Sequence, residues 1–327
     1  MKKLILSTLL FIAFYGITLA QSITINGTVK SDQGYPVHYA FIKSDNNATY
    51  SDSTGHFTLL ANPSSKITIN CNGYNDTQAD ATANLQVVLK KTNPTAVINK
   101  TPPAQSDAGL LLAAFNNQHP GDDINRGKTI GGLAVFTTTK ETVGHRFLFT
   151  QWVHGYMVKA NGDIIQTPAM LFNYDKIKGD LYITEDFNNV NIADRNTIKS
   201  FVLFDTHDQP YSFERVLGIS NDMYSQLIST GTKYKIYKLT TTKFVASNYQ
   251  TNGITSTGNA YDEFVDDNIY YVFNLKSGSF QQVALKKKVL KETFADESAK
   301  FTTFASDHAD DKIDESYLIS LGNAINE

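Results

Sequence analysis

The segment INGTVKSDQGYPVHYAFI (residues 25–42), followed by SDSTGHFTL (residues 51–59), carries the pattern that decides the fold of the N-terminal part. Apolar and polar residues alternate along both segments, which is the period of a half-buried strand, and no helical period interrupts them. Short strands separated by turn residues continue to the end of residues 21–90. The pattern predicts a β-sandwich over this range.

Aspartate and glycine punctuate the strands at two places. Asp32 and Asp52 are expected to accept hydrogen bonds from backbone N–H groups two residues downstream, in Asx turns. Gly34 and Gly55 are expected to supply the positive φ that such turns often need. These four residues are therefore interpreted as structural.

The order of these residues resembles the carboxypeptidase regulatory-like domain. The matching positions are Gly27-Thr28-Val29, Asp32, Gly34, Pro36, Ala40, Ile42, Ser51-Asp52, Gly55, Phe57 and Gly73-Tyr74. The resemblance covers residues 21–90 and implies a seven-stranded, immunoglobulin-like or transthyretin-like sandwich, common at the N-termini of secreted and outer-membrane proteins of Bacteroidetes-type bacteria. The family is named after an accessory module of metallocarboxypeptidases, so the resemblance implies no peptidase activity.

Residues 1–20 have the layout of a secretory signal peptide. Two lysines precede an apolar run that is shorter than the ~20 residues of a membrane span, and small residues follow at Thr18 and Ala20. Cleavage is expected before Gln21, and because that residue is not cysteine, no lipoprotein is expected. The chain is therefore predicted to be exported to the periplasm or to the cell surface, associated with the outer membrane, without a transmembrane segment in the mature protein.

Composition sets further bounds on function. The formal charge of the chain is −3, and a mildly acidic protein lacks the basic surface that nucleic acid requires. Cys71 is the single cysteine, which excludes an intramolecular disulfide despite the predicted export. Stability must then come from packed cores, for which 17 Tyr and 20 Phe supply large side chains.

The remainder of the chain is predicted to contain a linker and a second domain. Proline-marked, polar residues 91–143 are interpreted as a linker with a short helix at 106–115. Residues 144–327 are predicted to form an antiparallel β-meander with one helix at 222–230 and two helices at the C-terminus. The expected fold class is thus mainly β, with an α+β C-terminal part.

The two C-terminal helices are predicted from residues that recur at helical spacing. These residues are Leu290, Phe294, Phe301 and Phe304 in one helix, and Tyr317, Leu318, Leu321 and Ile325 in the other. Asp314 is expected to cap the last helix, with Ile313 and Leu318 forming a hydrophobic staple.

This second region also looks like the uncharacterised C-terminal part of many secreted Bacteroidetes proteins. The matching residues are Gln151-Trp152, Gly155, Leu171-Phe172-Asn173-Tyr174-Asp175, Lys199-Ser200-Phe201-Val202-Leu203 and the lysine-rich stretch 285–294. The resemblance implies no activity.

No catalytic or metal-binding motif stands out in the sequence. None of the seven histidines begins a His-x-x-Glu pair, and no Gly-x-Ser-x-Gly elbow occurs. His145 and His154 lie across a predicted hairpin, but strand or surface histidines are the favoured interpretation. The acidic clusters at 262–267 and 307–311 do not follow the ligand spacing of an EF-hand. No catalytic residue, metal or other cofactor is therefore expected.

Aromatic residues leave one binding role open. Trp152, Tyr156, Tyr174 and Tyr182 are candidates for an exposed platform that binds a sugar or a peptide. Their strand positions favour packing in a core or across strands as the alternative.

The sequence favours a non-catalytic secreted envelope protein that binds or scaffolds a protein or glycan. The alternative is a hydrolase whose catalytic residues converge in the C-terminal domain without forming a sequence motif. A carboxylate–histidine pair in a pocket would favour the hydrolase.

Overall fold

We describe a computed structural model of the chain, which covers residues 22–92, 129–130, 133–134, 142–187, 189–251 and 255–327. The chain divides into two compact units, residues 1–99 and 100–327. The expected fold class is confirmed, because most regular structure is β and the described helices all follow residue 286. The predicted helix at 106–115 and most of the predicted linker lie outside the described residues.

Residues 22–92, the described part of the first unit, contain seven strands. They are β1 (Ile23–Ser31), β2 (Phe41–Lys43), β3 (Ala48–Tyr50), β4 (His56–Ala61), β5 (Lys66–Asn70), β6 (Thr77–Asp80) and β7 (Asn84–Leu89). One sheet has the order β4-β1-β7 and the other β3-β2-β5-β6. All pairs are antiparallel except β1 with β7, which are parallel.

One core joins the two sheets of the first unit. Alternate residues of β1, β4 and β7 point inward, and Ile25 and Val29 are fully buried there. They pack in the same cluster as Ile42, Ile67 and Ile69 from the other sheet. The strand period of two therefore produces a sandwich, as the sequence predicted.

The second unit is built on a large sheet. Its strands are β8 (Thr129–Ile130), β9 (Leu133–Ala134), β10 (Thr142–Val143), β11 (Gly155–Lys159), β12 (Ile164–Ile165), β13 (Leu171–Asp175), β14 (Asp180–Thr184), β15 (Val190–Ile192), β16 (Ile198–Phe204), β17 (Pro210–Glu214), β18 (Ser225–Thr230), β19 (Tyr234–Val245), β20 (Gln250–Thr251), β21 (Ser256–Thr257), β22 (Asp262–Asn274) and β23 (Ser279–Val283). The nine-stranded large sheet has the order β10-β22-β19-β18-β17-β16-β11-β12, with β23 also paired to β22. The small sheet has the order β13-β14-β15. Strands β16 to β19 form the predicted antiparallel meander.

Three α-helices follow the last strand. They are α1 (Lys287–Thr293), α2 (Ser298–Asp307) and α3 (Glu315–Asn326), with a 3₁₀ helix (Ala295–Glu297) between the first two. The first predicted C-terminal helix is thus split near Phe294. Asp314 caps α3 as predicted, because its side chain accepts hydrogen bonds from the backbone N–H groups of Ser316 and Tyr317.

The helices and the small sheet cover different parts of one face of the large sheet. Leu290 of α1, Leu318 of α3 and Phe294, which follows α1, pack with Ile236 of β19, and all four are fully buried. At its C-terminus, α3 is held to the sheet by the side chain of Asn326, which accepts a hydrogen bond from the Tyr234 N–H and donates one to the Tyr234 carbonyl.

The small sheet packs over the other part of this face. Phe172 and Tyr174 of β13 share a buried cluster with Phe201 of β16 and Phe213 of β17. A gap between the helices and the small sheet therefore leaves the middle of the face uncovered by either layer.

The predicted helix at 222–230 is wrong. Residues 225–230 form β18, which pairs with β17 and β19. The β18–β19 register shifts between Leu227 and Ser229, so two apolar residues, Leu227 and Ile228, stand side by side. This β-bulge breaks the strand alternation and imitates a helical face.

Candidate functional site

A cleft of about 180 Å³ opens on the large sheet at the gap between the small sheet and the helices. Its apolar wall consists of Leu148, Tyr174, Phe213 and Tyr224. Its polar lining consists of Lys176, Tyr211, Gln226, Lys238, Thr240, Asp266 and Asn268. An apolar wall with a few convergent polar groups is the usual composition of a ligand pocket.

Strand pairing explains why the cleft is polar at its centre. One row of directly paired residues crosses the sheet in the order Phe201, Phe213, Gln226, Lys238, Tyr270 and Val283. The row is apolar where the small sheet covers it and again at Val283, which packs with the helices. Phe213, Gln226 and Lys238 of the row line the cleft, and the last two are the polar ones.

Two ion pairs neutralise the cationic groups of the cleft. Lys176 Nζ lies 2.7 Å from Asp266 Oδ2, and the Lys176 side chain is 8% exposed. Lys238 Nζ lies 2.8 Å from Glu315 Oε1 at the start of α3. The other oxygen of Glu315 accepts a hydrogen bond from the Tyr270 hydroxyl at 2.8 Å. The cleft therefore presents no unpaired lysine.

Two side-chain amides in the cleft have hydrogen-bonding groups that the described residues do not use. The Gln226 carboxamide has no hydrogen-bond partner within the residues that the structure describes. The Thr240 hydroxyl donates to Asn268 Oδ1 at 2.7 Å, which fixes the Asn268 amide and leaves its Nδ2 donor unused by described groups. Together they offer donors and an acceptor to a ligand.

The tyrosines of the cleft are held in their neutral form. Burial raises the pKa of Tyr224 to about 12, and its hydroxyl donates to the Ile198 carbonyl at 2.9 Å. Burial also raises the pKa of Tyr211, and the carboxylates of Asp205 and Glu315 raise it further. At neutral pH the Tyr211 hydroxyl is therefore a hydrogen-bonding group without charge.

The aromatic platform predicted from the sequence is not formed. Trp152, Tyr174 and Tyr182 are each 2% exposed and belong to the buried clusters beside and beneath the small sheet. Tyr156 is half-buried, with its ring tilted against Phe204 at a centroid distance of 6.4 Å. Of the four, Tyr174 lines the cleft, but its hydroxyl accepts a hydrogen bond from the Tyr224 N–H at 3.1 Å. Trp152, Tyr174 and Tyr182 therefore serve packing in the cores, whereas Tyr156 belongs to none of the buried clusters.

The turn residues of the first unit occupy the positions proposed for them, with one difference. Gly34 and Gly55 have φ of +85° and +80°. Asp52 Oδ1 accepts hydrogen bonds from the N–H groups of Thr54 and His56 at 2.8 and 2.9 Å. At the first turn the acceptor is instead Ser31 Oγ, 3.2 Å from the Tyr35 nitrogen, and Asp32 forms no such bond within the described part of the chain.

The described histidines and acidic residues form no metal site. In the part of the chain that the structure describes, no three His, Cys, Asp or Glu side chains are arranged to hold a metal ion. His308 Nδ1 lies 2.7 Å from Asp311 Oδ2, but both side chains are exposed after the end of α2 and lie outside the cleft.

A second, more open depression of about 390 Å³ lies on the outward face of the β4-β1-β7 sheet. Thr28 and its strand partners His56 and Gln86 form one row of this face. It offers polar groups but lacks an enclosing layer.

Comparisons with known proteins do not assign the chain to a family. No protein-family model and no curated protein matches it. Among solved structures, it aligns with BcpA, the major pilin subunit of Bacillus cereus, at 8% identity and a TM-score of 0.17, covering 81% of this chain and 93% of the pilin chain. A variant of the same pilin subunit aligns at 8% identity with a TM-score of 0.18 and the same coverage. Likeness at this level carries no argument about function.

Proposed function

We propose that this protein is an exported, non-catalytic envelope protein that binds a neutral glycan in the cleft of its second unit. The observation that carries the proposal is that the charged groups of the cleft are paired while its amide groups are not fully used. Its lysines are paired with carboxylates, whereas the Gln226 and Asn268 amides have unused hydrogen-bonding capacity.

The chemistry of a sugar ring matches a cleft with paired charges and available amides. Its hydroxyl groups both donate and accept hydrogen bonds, as an amide requires, and its C–H faces pack on apolar walls. Phe213 and Leu148 supply such a wall, and Tyr211 adds a neutral hydroxyl at the rim. The volume of about 180 Å³ suits one sugar ring.

A charged ligand fits the cleft less well. An anion would have to compete with Asp266 for Lys176 or with Glu315 for Lys238, at the two close ion pairs. A partly buried ion pair that loses one partner leaves the other charge uncompensated, which is costly. A neutral ligand avoids this cost.

The composition of the cleft also favours binding over hydrolysis. Glycoside hydrolysis typically uses two carboxyl groups on either side of the scissile bond. Among the described residues that line the cleft, Asp266 is the one carboxylate, and it is bonded to Lys176 and to the Thr242 hydroxyl. The lining also contains no histidine.

Export rests on the leader-like residues 1–20, and within the described ranges no helix is both long enough and apolar enough to cross a bilayer. Periplasm and cell surface remain the two locations proposed. Protease digestion of intact and permeabilised cells, with each unit tagged, distinguishes them, and protection in both preparations would contradict export.

The binding proposal is tested with the mature chain, residues 21–327, and a panel of neutral glycans, measured by titration calorimetry. Gln226→Ala should weaken binding about three- to tenfold, the value of one net hydrogen bond. Gln282→Ala is the matched control, because Gln282 is exposed on β23 opposite Tyr271, away from the cleft row. Absence of binding to every glycan, or equal effects of the two variants, would overturn the proposal.

A further inference from the structure

The face that carries the cleft continues along the β19–β22 ribbon. Four successive cross-strand pairs lie on this face, because the register between the strands is unbroken. They are Lys238·Tyr270, Thr240·Asn268, Thr242·Asp266 and Phe244·Phe264. The first three pairs belong to or border the cleft. The fourth pair is aromatic.

The aromatic pair is open to solvent. Phe244 is 52% exposed, Phe264 is half-buried, and their ring centroids lie 5.2 Å apart with the planes tilted by 54°. Exposing an aromatic ring to water is unfavourable in free energy. An exposed apolar surface beside a polar cleft is typical of a binding site.

The distance from the cleft to this pair is set by the strand. On this face one pair, Thr242·Asp266, lies between Thr240·Asn268 and Phe244·Phe264. The distance is four residues, or about 13 Å along an extended strand. Between them, Asp266 is bonded to Lys176 and Thr242, so the intervening surface carries no unpaired charge. The path therefore stays neutral from the amides to the rings.

We infer that the ligand is an oligosaccharide, with one sugar held by Gln226 and Asn268 in the cleft and a later sugar of the same chain stacked on Phe244. This inference rests on the proposed function and specifies its ligand. The occupant of the aromatic pair follows from continuity, because the same strand face leads from the cleft to the rings without a change of charge.

The ribbon contains its own control. Val265 is 41% exposed and neighbours Phe264, but it lies opposite Lys243, on the other face of the ribbon. Phe244→Ala and Val265→Ala each remove exposed apolar surface from the same ribbon, and only the first removes it from the face of the cleft.

The test compares single sugars with neutral hexasaccharides of the same sugar, namely glucose with cellohexaose and with maltohexaose, and N-acetylglucosamine with chitohexaose. Calorimetry on the mature chain should show tighter binding of a hexasaccharide than of its monomer. Phe244→Ala should weaken hexasaccharide binding about three- to tenfold and leave monomer binding unchanged, whereas Val265→Ala should change neither. Circular dichroism and sedimentation velocity check that both variants keep the fold and the association state.

The outcomes separate the inference from the proposed function. If single sugars bind through Gln226 but Phe244→Ala leaves hexasaccharide binding unchanged, the aromatic subsite is wrong and the cleft proposal stands. If Phe244→Ala changes only self-association, the rings contact a second copy of the chain and the inference is overturned. If no sugar binds the intact protein, both fall.

Discussion

Arg146 and Asp175 form an ion pair immediately before the cleft residue Lys176. Arg146 Nη2 and Nε lie 2.6 and 2.9 Å from Asp175 Oδ2, and the Asp175 side chain is fully buried. Asp175 Oδ1 also accepts hydrogen bonds from the N–H groups of Ile177 and Lys178 at 2.8 and 3.1 Å. The carboxylate therefore fixes the turn that follows Lys176 and joins it to Arg146, and so positions one wall of the cleft.

Replacing Asp175 with alanine should destabilise the second unit by about 3–5 kcal/mol, because it removes one partner of a largely buried ion pair. Urea unfolding followed by the fluorescence of Trp152, the single tryptophan and a buried residue of this unit, measures the change. Asp222→Ala is the control, because that side chain is 87% exposed and 3.7 Å from Arg195, and should cost less than about 1 kcal/mol. Equal losses would show that Asp175 does not hold the wall.

Gly27→Ala should destabilise the first unit by overpacking. Gly27 pairs directly with Phe57, and an added Cβ would collide with the Phe57 ring and lie 2.6 Å from the Leu85 carbonyl oxygen. We expect a loss of about 1–3 kcal/mol. Hydrogen exchange of the β1 and β4 amides measures the loss in this unit.

A second glycine variant separates crowding from backbone strain. Gly34 has φ of +85°, but nothing lies within 4 Å of an added Cβ. Gly34→Ala should therefore cost only the strain of a left-handed residue, about 1–2 kcal/mol. Hydrogen exchange of the β4 amides should show no loss of stability beyond that amount. A larger effect at Gly34 than at Gly27 would contradict the crowding argument.

Local sequence predicted the sandwich and the capped last helix because their determinants are local. Period-two alternation places Ile25 and Val29 in a core, and Asp314 bonds to N–H groups within three residues of itself. The strand at 225–230 is not predictable from local sequence, for a physical reason. Its bulge at Ile228 removes the alternation, and its pairing partners in β17 and β19 are recognised only once the sheet is formed.

The cleft could not be predicted from local patterns either, because its residues come together only when the sheet forms. Lys176 and Asp266 are 90 residues apart in sequence, and Gln226 meets Lys238 only through the β18–β19 register. Three of the four aromatic residues singled out in the sequence, Trp152, Tyr174 and Tyr182, are buried in the cores, since alternation marks strand residues without stating what covers each face. Phe244 and Phe264 remain partly exposed and belong to none of the buried clusters formed with the helices or the small sheet.

Asp314→Ala should lower the melting temperature of the second unit, because α3 would lose its cap. The hydrogen bond from the Ser316 hydroxyl, with those from the N–H groups of Tyr317 and Ser316, lowers the pKa of Asp314. A lowered folded-state pKa gives stability that is present above the ordinary value of 3.8 and lost as the pH falls through the folded-state value. The difference in melting temperature between the two proteins should thus shrink in acid, and a difference that is independent of pH would contradict this origin. Asp314→Asn, which keeps an acceptor, should retain most of the cap.

Alkaline pH should destabilise the second unit through its buried tyrosines. Burial raises the pKa values of Tyr156, Tyr182 and Tyr224 from 10.0 to about 12. A raised folded-state pKa means that the stabilisation is complete below pH 10 and is lost as the pH rises toward about 12, because the unfolded chain releases these protons more readily. Urea midpoints followed by Trp152 fluorescence should fall across this range, and tyrosinate absorbance should rise in step with unfolding.

Tyr224→Phe removes the hydroxyl bonded to Ile198, so it should lower stability at neutral pH by about 0.5–1.5 kcal/mol and reduce the alkaline loss. If the tyrosinate absorbance developed fully while the native fluorescence of Trp152 persisted, these hydroxyl groups would be accessible in the folded protein, and the neutral tyrosines assigned to the cleft wall would have to be reconsidered.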